Sequence, residues 1–111
     1  MYTHAMEQRP RAEQLLAMSS AGRRLSDLVA AAEAPVHYNV MRHLLRVSEE
    51  TMTEVLQEAV DLGLVKRADD PLLYVPGDDR IGEEMREALG PERLARHRVQ
   101  IASATRRVFE M

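Results

Sequence analysis

Residues Pro35–Pro76, PVHYNVMRHLLRVSEETMTEVLQEAVDLGLVKRADDPLLYVP, decide how this chain folds. Val40, Met41, Leu44 and Leu45 share one face of a helix expected over about His37–Arg46. Val47-Ser48 reads as a turn, with the Ser48 hydroxyl placed to accept from a backbone N–H of the next helix. Over Glu49–Leu62, Met52, Val55, Leu56 and Ala59 make an apolar stripe, and Gly63 suits the left-handed residue that ends a helix. Leu64-Val65 opens a short strand and Leu72–Val75 forms its partner across Ala68–Pro71, with Pro76-Gly77 closing the hairpin. Helix, tight turn, longer helix and hairpin is the order of a winged helix-turn-helix, a fold that either reads DNA or holds another protein domain. The sign of charge on the second helix separates those two uses.

Outward from this stretch the chain is mostly helical. Upstream, a short helical run from Arg11 to about Met18 is expected, weakened by Ser19, Ser20 and Gly22. A second run follows from Arg23 to about Glu33, with Leu25, Leu28, Val29 and Ala32 on one buried face. Pro35 ends it, because the residue before proline avoids the helical region. Downstream, a helix is expected over about Asp79–Leu89, a break at Gly90-Pro91, and a last helix from about Glu92 to Phe109. The expected fold is therefore mainly α: a winged helix-turn-helix with a short two-stranded wing and additional N- and C-terminal helices. Residues 1–10 read as a flexible tail and residues 11–111 as one domain with a C-terminal helical extension.

Composition sets the outer bounds. A chain of 111 residues with 45% hydrophobic content can build one domain with a small core. Its net charge of −3 gives no global pull toward nucleic acid, so a DNA contact would need a local basic patch. The absence of cysteine removes disulfides, thiol catalysis and thiolate metal sites together. No apolar run approaches the roughly 20 residues that span a bilayer, and MYTHAMEQRP has no apolar signal region, so a cytoplasmic location is expected.

The chemistry-bearing residues do not assemble a catalytic motif. His4, His37, His43 and His97 are scattered without zinc-ligand spacing, and the serines lack a nearby base or an elbow motif. Asp69-Asp70 is explained by a hairpin turn and Asp78-Asp79 by helix capping. Tyr74 and the methionines Met41, Met52 and Met85 fall at core positions, and the few aromatic residues form no stacking platform for single strands. Neither an enzyme nor a cofactor is expected.

Charge carries the functional reading. Glu49, Glu50, Glu54, Glu58 and Asp61 give the segment 49–62 a charge of −5, with no Lys, Arg or His to offset them. A helix lying in the major groove draws its affinity from Lys and Arg contacts to phosphate, so this one is a poor DNA reader. A solvated face is the plain alternative, with Glu49 and Glu50 favoured at the positive helix N-terminus. Arg93, Arg96, Arg98, Arg106 and Arg107 make the segment 91–111 net +3, a face suited to an acidic partner such as the acidic helix of a second copy. These ten residues are the expected protein-contact set. Should DNA be bound instead, the candidates are Arg23, Arg24, Arg42, Arg46, Lys66 and Arg67, presented by a dimer.

From about Leu25 onward the chain also resembles a family, through AEAPVHYNVMRHLLRVSEETMTEVLQEAVDLGLV and MREALGPERLARHRVQIASA. Glu49-Glu50, Leu56, Ala59, Gly63-Leu64, Pro91, Arg93 and Arg96 sit where the winged-helix module of STAND regulators of the LuxR type places such residues. The resemblance covers about three quarters of the chain. It implies a regulatory module in transcription-related signalling that acts on a protein partner or a covalently linked domain, DNA being the less favoured partner. Two departures stand out. Asp78 occupies the place of a histidine usual in the family, where a carboxylate repels nucleotide phosphate, and no GxxxxGK[ST] phosphate loop occurs in the chain. Such a module is either a piece of a larger regulator or a small protein that kept this part alone.

Overall fold

The computed structural model describes residues 18–110. The tail expected over residues 1–10 and all but Met18 of the helical run expected over Arg11–Met18 lie outside them. The first helix, α1 (Ser20–Ala31), begins earlier than its apolar spacing suggests, because the Ser19 hydroxyl accepts from the Gly22 N–H at 3.0 Å and caps it. Leu25, Leu28 and Val29 are fully buried along its length, and the buried Ser26 hydroxyl donates to the Gly22 carbonyl at 2.9 Å. Helix α1 is the central element. The other helices and the sheet pack around it.

A strand that the sequence does not announce follows. β1 (Val36–His37) pairs antiparallel with β3 (Leu73–Pro76), placing Val36 opposite Tyr74 and His37 opposite Leu73. The wing expected to have two strands is therefore part of a three-stranded antiparallel sheet in the order β1-β3-β2, with β2 at Val65–Arg67. Two residues are too few to show an alternating pattern, so only the pairing partner reveals β1.

α2 (Tyr38–Leu45) is capped by a ring rather than a hydroxyl: His37 Nδ1 accepts from the Asn39 N–H at 3.0 Å. Its end at Arg46 is left-handed, with φ 55° and ψ 48°. A side chain there costs about 1–2 kcal/mol relative to glycine, partly offset by the greater freedom of glycine in the unfolded chain. Arg46→Gly is expected to stabilise the fold by about 0.5 kcal/mol, read as a higher midpoint in thermal unfolding.

α3 (Glu49–Asp61) starts at Ser48, whose hydroxyl accepts from the Thr51 N–H at 3.2 Å. It buries Met52, Val55 and Ala59 and ends in paired backbone bonds, from Gly63 N–H to the Val60 carbonyl and from Leu64 N–H to the Ala59 carbonyl. Gly63 supplies the positive φ of 74° that this ending requires. In the β2–β3 turn the Asp70 carboxylate accepts from the Leu72 N–H at 2.8 Å.

α4 (Asp79–Phe109) is capped by Asp78, which accepts from the Ile81 N–H at 2.7 Å. It is two arms joined at a kink. Gly90 alone leaves helical geometry, with φ 80° and ψ 163°, and Pro91 opens the second arm where a missing N–H costs nothing. The break expected at Gly90-Pro91 is thus a single-residue bend. Ile81, Met85 and Leu89 anchor the first arm, while the second buries Ala104 and half-buries Ile101 and Val108. Phe109 meets the His37 ring edge-on at 4.9 Å. The core of Leu25, Leu28, Met41, Met52, Leu64, Val65 and Tyr74 is continuous beneath all of these elements. Among the described residues no helix is long and apolar enough to cross a membrane.

Candidate functional site

The acidic face of α3 and the basic arm of α4 are the surfaces to test. The fold divides each into residues it uses internally and residues it leaves on the surface. On α3, Glu58 turns inward across the packing between helices. Its carboxylate accepts from the Ser19 hydroxyl at 2.8 Å and from the Ser19 N–H at 3.4 Å. A Cβ at Gly22 would overlap that carboxylate, so the bare glycine lets α3 approach α1. Glu49 lies 3.7 Å from Arg42, itself half-buried and donating to the Val47 carbonyl across the turn between α2 and α3. Asp61 accepts from Gln57 at 2.7 Å. Glu50 and Glu54 are exposed and have no hydrogen-bond or ion-pair partner among the described residues.

The arginines of α4 divide the same way. Arg93 donates to the Leu89 carbonyl at 3.0 Å and to the Ala88 carbonyl at 3.2 Å, capping the end of the first arm. Arg98 reaches across to α1, donating to the Ala31 carbonyl at 2.8 Å and pairing with Glu33 at 3.3 Å. Arg86, which sequence reasoning passed over, donates to the neighbouring Ala30 carbonyl at 3.1 Å. Two guanidinium groups, one from each side of the kink, thus hold the C-terminal carbonyls of α1. Arg96, Arg106 and Arg107 are exposed and form no such bond among the described residues.

The residues named for a DNA contact do not converge on one helix. Arg23 and Arg24 are exposed on α1, Arg46 ends α2, and Lys66 and Arg67 are exposed on β2. Arg42 is engaged in the turn between α2 and α3. On α3 every exposed charged group is a carboxylate, with Thr53, Gln57 and Val60 exposed beside them.

Two exposed valines complete the surfaces. Val60 on α3 is 38% exposed and Val99 on α4 is 69% exposed, each flanked by the charges just described. Neither stands out in sequence, because a lone valine on a helix is usually core.

One titratable group is perturbed. Burial raises the Asp27 carboxyl above its ordinary value, outweighing the downward pull of His97, Arg23 and Arg93. With the folded value above the unfolded one, the contribution of this group is fully present below the unfolded value near 3.8 and is lost as pH rises through the folded value. Asp27→Asn is therefore expected to be more stable than the parent at neutral pH. The difference should shrink as urea unfolding is repeated toward about pH 4.

Among the described residues no group of three or more His, Cys, Asp or Glu is placed to hold a metal ion. In comparisons with protein-family models, curated proteins and solved structures, no match was found.

Proposed function

We propose that this chain is a cytoplasmic winged-helix regulatory module in transcription-related signalling, working through contact with another protein or a linked domain. The observation that carries the reading is the outer face of α3, where Glu50, Glu54 and Asp61 stand at the position a DNA reader fills with basic residues. The element order α1-β1-α2-α3-β2-β3, with β3 central in the sheet, supports the winged-helix assignment. A like-charged face repels the phosphate backbone, and the basic groups of the chain are spread over α1, α2, β2 and the far arm of α4.

Fluorescence anisotropy with a labelled mixed-sequence duplex tests this, first at low and then at physiological salt. No binding at low salt is the expected result. Micromolar or tighter binding that weakens steeply with salt would replace this reading with that of a DNA-binding dimer presenting Lys66 and Arg67.

A further inference from the structure

We propose that the partner of the basic α4 arm is α3 of a second copy of this chain, packed antiparallel and reciprocated across a two-fold axis. The proposal rests on the protein-contact reading above and names the partner.

The charges left on the surface match in spacing. Glu50, Glu54 and Asp61 lie on one face of α3, and Arg96, Ser103 and Arg107 on one face of the arm. Glu50 and Asp61 are eleven residues apart, and so are Arg96 and Arg107. Each pair therefore spans roughly 16 Å at about 1.5 Å rise per residue. Laid antiparallel, the two helices set Glu50 beside Arg107 and Asp61 beside Arg96, with the Ser103 hydroxyl facing Glu54. The same register brings Val60 and Val99 within one turn of each other, and these are the exposed valines of the two helices. An apolar contact with charges around it repeats on a small scale the apolar centre and polar rim of protein interfaces.

The other self-pairings are worse. Arm against arm places Arg96, Arg106 and Arg107 in a like-charged seam, and α3 against α3 does the same with carboxylates. Within one chain the two faces do not neutralise each other. α3 packs on α1 and β2, while α4 packs on α1, α2 and β3, leaving the outer side of each helix to solvent. With both faces on every copy, a two-fold pair that brings them to one side satisfies both at once, whereas a head-to-tail contact leaves one of each open and would continue into longer assemblies at low salt.

Sedimentation equilibrium on the full chain at about 20 mM and about 300 mM salt reads the association. Reversible dimer formation is expected at low salt, weakening at least about ten-fold at the higher salt. Glu50→Lys with Asp61→Lys, and separately Arg96→Glu with Arg107→Glu, should each weaken it by at least about ten-fold. Circular dichroism checks that these surface variants keep the parent fold. An equimolar mixture of the two double variants is the decisive arm. Across a two-fold axis the reversed helix meets the reversed arm while the two native faces meet each other, so the mixture should regain the parent affinity.

A parent chain that stays monomeric at low salt, double variants that associate as the parent does, or a mixture that stays monomeric would each overturn the proposal. The duplex titration separates the levels of failure. A monomer that ignores DNA loses the second copy but keeps a different acidic partner, whereas a chain that binds DNA loses the protein-contact reading itself.

Discussion

Leu28→Ala is expected to lower the unfolding free energy by about 3–4 kcal/mol. The side chain is fully buried on α1, the helix against which α2, α3, α4 and β3 all pack. Truncation removes the transfer free energy of the lost carbons and leaves a cavity that neighbours from several elements would have to move together to fill. Domains of this size are stable by about 5–15 kcal/mol in total, so a large share would go at once. Urea unfolding followed by circular dichroism measures it. A loss below about 1 kcal/mol would mean that the helices close over the gap and that α1 is not the shared centre of the core.

Gly77→Ala comes second, at about 2–3 kcal/mol. A Cβ at Gly77 would overlap the Gly63 carbonyl oxygen, where the end of α3 passes the start of α4. Neither backbone is free to retreat. Gly77 N–H donates to the Leu64 carbonyl at 3.0 Å, and Gly63 is fixed by its bond to the Val60 carbonyl and its left-handed geometry. Gly22→Ala makes the natural comparison, because its obstacle is the tip of the Glu58 side chain, which can rotate away. Thermal unfolding of the two variants should therefore rank Gly77→Ala as clearly the more damaging. A reversed order would show that the α3–α4 junction yields more readily than the Ser19–Glu58 link.

What could be read from the sequence follows the range of the interactions. Ser48, Gly63, Asp78 and the Gly90-Pro91 bend act within a few residues of themselves, so their roles as caps and breaks are visible in a local window. The start of α1 is hidden in the sequence for a related reason. Ser19, Ser20 and Gly22 look like breakers, but Ser19 is a cap and Gly22 makes room for a carboxylate on another helix. β1 is invisible because its two residues gain meaning only from β3, more than thirty residues downstream.

The candidate surfaces show the same division. Glu58 and Glu54 are alike in sequence, yet one is tied to a residue 39 positions away and the other faces water. Arg86 and Arg98 find their carbonyls 56 and 67 positions upstream. Net charge by segment marks both faces as charged, but not which groups remain available. That selection is made by tertiary contacts.

The two arginines on the last carbonyls of α1 have a consequence for how such a domain would respond to its ionic surroundings. Their carbonyl acceptors are neutral and belong to buried residues, so added salt screens these bonds far less than it screens exposed carboxylate–guanidinium pairs, that of Arg98 with Glu33 included. Ionic strength would then work as a selective release. A partner held by the outer charges could be shed while the angle between the α4 arm and the body stays set, so the surface would be ready to rebind without refolding.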